Sequence, residues 1–97
     1  MKAMSEQEVE ALAKATPGWS VNDGKLLRDW KFVDFAEAMI FVNKVAEMAE
    51  EVDHHPDIDI RYNQVRLALV SHDARGVTSR DAKMAARLSE RFPMNRE

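Results

Sequence analysis

The chain has 97 residues, 45% hydrophobic and 32% charged, with no cysteine and a formal net charge of -3. This balance fits one globular domain over residues 1–97 and rules out disulfides and thiolate metal sites. The acidic excess argues against a nucleic-acid surface, and no apolar run has membrane-spanning length or the look of a signal peptide, so a soluble cytoplasmic protein is expected.

Ser5 followed by Glu8 is a capping-box pattern, and Val9, Leu12 and Ala13 give the first helix an apolar stripe until Thr16, Pro17 and Gly18 stop it. Trp19 and Val21 then share one face of a short strand. Asp23 and Gly24 form a favoured two-residue turn, and Leu26, Trp30 and Phe32 share one face of the return strand. Asp34, with Glu37 three residues on, caps a long helix in which Phe35, Ala38, Met39, Val42, Val45, Ala46, Ala49 and Val52 recur at helical spacing. Phe41 and Met48 widen that stripe beyond what one sheet contact needs, which marks them as a candidate subunit contact.

Pro56 bars further helix. Ile58, Ile60 and Tyr62 alternate with Asp57, Asp59 and Arg61, and Val65, Leu67 and Leu69 with Arg66, Ala68 and Val70, so a second hairpin of two half-buried strands is expected with Asn63 and Gln64 as its turn. Gly76 breaks the chain, Thr78 with Asp81 forms another capping box, and Ala82, Ala85, Leu88 and Phe92 line the last helix before Pro93. The predicted order is αββαββα: an α+β fold with a four-stranded antiparallel sheet and three helices packed on one face. Arg80, Lys83, Arg87, Arg91 and Arg96 cluster late in the chain and read as a solvated helix face.

All three histidines fall in one spaced set, Glu50, His54, His55, Pro56, Tyr62, His72 and Asp81. Histidine is the side chain best suited to moving protons near neutral pH. A turn at Asn63 and Gln64 pairs Tyr62 with Val65, Ile60 with Leu67 and Ile58 with Leu69, and continuing that register sets His55 opposite His72. Glu50, four residues before His54 at the end of the long helix, is placed to hold that imidazole's tautomer. Asp81 reads as a cap, Tyr62 as a core residue with its hydroxyl at the rim, and Pro56 as a fix on the backbone beside the histidines. A three-histidine zinc site is the chemical rival, but adjacent histidines seldom converge on one ion, and the helical i, i+4 pair of many zinc enzymes is missing.

The spacing Glu50, three residues, His54-His55-Pro56, five residues, Tyr62, nine residues, His72, eight residues, Asp81 resembles the signature of the pterin-4a-carbinolamine dehydratase family. The resemblance extends to the Trp30 and Phe32 strand, the following helix and the αββαββα order. It implies a lyase that removes water from 4a-hydroxytetrahydropterin and so recycles the pterin of aromatic amino acid hydroxylases, with no redox cofactor or metal. His54 and His72 are similar to the family's acid/base histidines and His55 to the one that mainly binds and orients the pterin, so all three are catalytic candidates. Asp53, Ser71 and Asp73 flank them where the family contacts the ring. The family often has an aromatic residue where this chain has Ile58. The resemblance also implies a homodimer or homotetramer, and some relatives act as dimerisation partners of other proteins. A role with another pterin, or in molybdenum-cofactor metabolism, stays open at this level.

Overall fold

Three helices begin where side chains can take over the free N–H groups of a first turn. The computed structural model describes residues 2–93, so Arg96 of the basic cluster lies outside the described residues. In chain order it contains α1 (Glu6–Ala15), β1 (Ser20–Asn22), β2 (Lys25–Lys31), α2 (Phe35–Val52), β3 (Asp57–Arg61), β4 (Gln64–Leu69), a 3-10 turn over His72–Ala74, and α3 (Ser79–Arg91). Ser5 with Glu8 and Thr78 with Asp81 both form complete capping boxes, and Asp34 accepts from the Glu37 N–H. The αββαββα order and the α+β class are as expected.

The sheet is fully antiparallel with strand order β1-β2-β4-β3. Asp23 and Gly24 turn the first hairpin, both with positive φ, as this tight connection requires. The central pairing sets Leu26 against Leu69 and Trp30 against Val65. These residues and Leu67 are buried in one core with Val9 of α1, Ala38, Phe41, Val45 and Met48 of α2, and Met84, Ala85 and Leu88 of α3. All three helices therefore cover the same face. The opposite face carries the exposed cross-strand ion pair of Asp29 and Arg66.

Several expectations change. The second hairpin turns at Tyr62 and Asn63, with Arg61 opposite Gln64, Ile60 opposite Val65 and Ile58 opposite Leu67. The register thus differs by two residues from the one that paired His55 with His72. The cause is long-range: the Asn63 amide donates to the Phe32 carbonyl at 2.9 Å, and the Phe32 N–H donates to the Asn63 carbonyl, which pins Asn63 inside the turn at the end of β2. Tyr62 is not a core residue; it is 65% exposed at a positive φ of 55°.

Phe41 and Met48 are not free for a subunit contact, because both are buried within the chain. Phe41 stacks against Trp30, Phe32 and Phe92, so the end of α3 occupies the flank that looked unpartnered. Phe35 and Val52, at the two ends of the α2 stripe, are exposed instead. Ile58 and Ile60, expected half-buried, lie in an edge strand whose residues are all exposed.

Arg28 fastens the first hairpin to the end of α3. It is buried, lies 4.5 Å over the Trp30 ring, and donates to Ser89 Oγ and the Pro93 carbonyl at 3.0 and 2.9 Å. Trp19 and Trp30 donate from their indole N–H groups to Ser89 Oγ and the Phe92 carbonyl. With no carboxylate among these partners, burial lowers the Arg28 pKa from its ordinary value.

Candidate active site

The chemistry-bearing residues gather where α2 ends, β4 ends and α3 begins. Helix α2 stops because Asp53 takes the left-handed conformation, φ 52°, and its N–H and that of His54 both turn back to the Ala49 carbonyl. Helical geometry therefore ends one residue before His54. This breaks the expected pairing of Glu50 with His54. Glu50 meets His55 instead, with Oε2 and Nε2 2.5 Å apart in an exposed pair.

His54 turns inward to Asp81. Its Nε2 lies 2.6 Å from Asp81 Oδ1, with the carboxylate fully buried and the imidazole nearly so. The other oxygen, Oδ2, accepts from Ser71 Oγ and from the Thr78 N–H, both at 2.8 Å. Ser71 and Thr78 hydroxyls also bond each other at 2.8 Å. One buried carboxylate thus caps α3, ties down the end of β4 and orients an imidazole. A carboxylate can only accept, so this bond puts the neutral imidazole's proton on Nε2 and leaves the Nδ1 lone pair free.

The remaining expected residues sort by exposure. His72 opens the 3-10 turn directly after Ser71, and its imidazole is exposed. Ser71, expected at the edge of a bound ring, is buried, and its hydroxyl is committed to Thr78 and Asp81. Asp73 is exposed and receives a hydrogen bond from Arg80 Nη2. That bond, reinforced by the guanidinium charge, holds its carboxyl below the usual carboxylate range. Asp53 is an exposed helix C-cap, and Pro56 leads directly into β3. His72 is tied to His54 through Ser71 and Asp81 rather than standing opposite His55 across a hairpin. Among the described residues, no group of three His, Asp or Glu side chains is arranged to hold a metal ion.

A cavity of about 460 Å³ lies beside His54, lined by Met48 and Val52 of α2 and by Arg80, Lys83, Met84, Ala86 and Arg87 of α3. Its size suits a small organic molecule. Arg80, Lys83 and Arg87, expected on a solvated helix face, line this cavity. Their spacing of three and seven residues, with Met84 between, was the available signal that they share a stripe.

The family model described as Pterin 4 alpha carbinolamine dehydratase matches residues 2–91 of the chain. The chain belongs to this family. That membership places it among the hydro-lyases. A relative from Thermomicrobium roseum, provisionally named a pterin-4-alpha-carbinolamine dehydratase, is 47% identical over 93% of this chain and 97% of its own length. One from Koribacter versatilis, provisionally given the same name, is 49% identical over 95% of this chain and 98% of its own. A crystal structure from Brucella melitensis, described as a transcriptional coactivator/pterin dehydratase, superposes with a TM-score of 0.84 at 35% identity, covering 92% of this chain and 97% of that one. A pterin dehydratase-like protein described as a RuBisCO assembly factor in the alpha-carboxysome shares the fold, with a TM-score of 0.62 at 19% identity over 79% of this chain and 89% of its own. Among the described residues, no helix is long and apolar enough to cross a membrane.

Proposed function

We propose that this chain dehydrates a 4a-hydroxytetrahydropterin, the product released by aromatic amino acid hydroxylases, to the quinonoid dihydropterin by histidine acid/base catalysis. The observation that carries this reading is the buried bond between His54 and Asp81 at the wall of a ligand-sized cavity. The reaction needs two proton transfers. The N5 lone pair forms the new C4a–N5 double bond as the C4a–O bond breaks. The departing oxygen takes a proton and leaves as water, and N5 gives up its own proton. No electrons are gained or lost.

His54 suits the base role, since Asp81 accepts from Nε2 and directs the Nδ1 lone pair away from the buried network. The carboxylate also stabilises the imidazolium that forms when Nδ1 takes the proton. His72, exposed one residue beyond the same network, supplies the proton to oxygen. His55, held by Glu50, orients the ring, with Asp53 and Asp73 as exposed carboxylates for its amino-pyrimidine edge.

A homo-oligomer belongs to this reading. Strand β3 pairs with β4 on one side and forms an outer edge of the sheet on the other, with Ile58 and Ile60 each 37% exposed, and an edge of this kind pairs readily with a second copy. The purified protein should accelerate the loss of 4a-hydroxytetrahydropterin generated chemically, followed by ultraviolet absorbance, with no change on adding EDTA. Turnover indistinguishable from buffer refutes the dehydratase reading, and activity lost to the chelator and restored by zinc refutes the metal-free mechanism.

A further inference from the structure

The cavity beside His54 has an electrostatic character that dehydration of a neutral pterin does not use. Its lining holds Arg80, Lys83 and Arg87 and no acidic residue. Asp73 partly occupies the Arg80 guanidinium through Nη2. Arg80 Nε is buried and has no hydrogen-bond partner among the described residues, so the group retains a donor that Asp73 does not satisfy. Lys83 and Arg87 are exposed and have no ion-pair partner among the described residues. Three cations along one stripe of α3 face the apolar side chains of Met48, Val52 and Met84. A closely spaced cationic stripe repels itself, and an anion seated within it relieves that repulsion.

We infer that the pterin accepted here carries an oxyanion on its side chain, a phosphate ester or a carboxylate, and that Lys83, Arg87 and Arg80 bind it in this cavity. The inference rests on the proposed dehydratase reading for the placement of the ring. With the ring held at His54, His55 and His72, a side chain running past His54 enters the cavity. Its carbon segment lies against Met48, Val52 and Met84, and its terminal oxygens meet the cations. Guanidinium groups favour a forked contact with such oxygens, and a cavity partly shielded from water strengthens it. The chain would then discriminate between pterins by the charge of a group remote from the reacting C4a.

The test uses stable oxidised pterins, so that binding is read without turnover: a 6-trihydroxypropyl pterin, its phosphate monoester, and an analogue ending in a carboxylate. Titration calorimetry on the full chain should show the phosphate ester binding about tenfold or more tighter than the neutral pterin at low salt, with the advantage shrinking as salt screens it. The carboxylate arm distinguishes the two sources of oxyanion: a preference shared by both anions assigns the site to oxyanions in general, and one confined to the ester assigns it to phosphate. In Lys83→Ala/Arg87→Ala the ratio of anionic to neutral affinity should fall toward one, and Arg87→Glu should invert it. Both positions are exposed, and circular dichroism checks the fold of each variant.

Equal affinity for neutral and anionic pterins overturns the inference, as does a preference that survives in the double variant or a failure of all three to bind. Turnover of 4a-hydroxytetrahydropterins, measured in parallel, separates the two claims. Anion preference without turnover upholds the cavity assignment and refutes the dehydratase reading. Turnover with no anion preference does the reverse.

Discussion

Replacing Asp81 by asparagine tests the link between fold and chemistry at one atom. Asp81 Oδ2 accepts from Ser71 Oγ and the Thr78 N–H, and Oδ1 meets His54 Nε2. In Asp81→Asn the amide oxygen keeps the two structural donors, and the NH2 group faces His54. Nε2 must then act as acceptor, which moves the neutral imidazole's proton to Nδ1 and removes the proposed base. Exchanging charge-assisted bonds for neutral ones costs about 1–2 kcal/mol of stability, whereas Asp81→Ala, which strands buried donors and removes the cap, costs about 3–5 kcal/mol. The asparagine variant should stay folded, since small domains hold about 5–15 kcal/mol. Its rate should fall by about a hundredfold or more, the usual worth of a positioned base. Long-range nitrogen–proton NMR reads the tautomer, urea unfolding reads the stability, and the dehydration assay reads the rate. A switched tautomer with the rate within a factor of about three of wild type would refute the reasoning, because Asp81 would then hold the fold without setting the chemistry.

Gly18→Ala should destabilise the protein by about 1–3 kcal/mol in urea unfolding, since Gly18 has φ +91° and a new Cβ would lie 2.9 Å from the buried Arg28 guanidinium; an unchanged midpoint contradicts this. Asp73 should titrate by NMR below the ordinary range of about 3.9, and Arg80→Ala should return it upward. Its folded-state pKa is lowered, so the pair's contribution to stability is present above the unfolded value and is lost as acid carries the carboxyl through its depressed midpoint; a midpoint unmoved by Arg80→Ala removes the assigned cause. Glu50→Gln should raise KM severalfold with kcat nearly unchanged, because the proposed mechanism has its exposed partner His55 orient the pterin without exchanging protons with it; a fall in kcat alone contradicts that role.

Most element boundaries could be read from the chain because local chemistry sets them. Ser5 with Glu8, Asp34, and Thr78 with Asp81 begin their helices by bonding to backbone within three residues, and Asp23-Gly24 closes its hairpin unaided. The misses in the second hairpin and along the α2 stripe depend on partners distant in sequence. Asn63 turns the second hairpin one place early because its amide is held by Phe32, and Phe41 is buried because Phe92 returns from the far end of the chain. Membership of the histidine set was readable, but its wiring was not. Pairing Glu50 with His54 assumed that helix continued through Asp53, where the left-handed cap instead delivers His55 to Glu50 and His54 to Asp81. Asp81 looked fully explained as a cap, yet a carboxylate has two oxygens, and the capping box uses one of them.

That two histidines carry the two proton transfers is tested most directly by stopped-flow dehydration of 4a-hydroxytetrahydropterin with wild type, His54→Ala and His72→Ala side by side. Wild type should accelerate the reaction, and each variant, folded by circular dichroism, should lose a factor of about 10² to 10⁴. Variants that retain the wild-type rate, or a wild type that adds nothing to the uncatalysed reaction, would contradict the account.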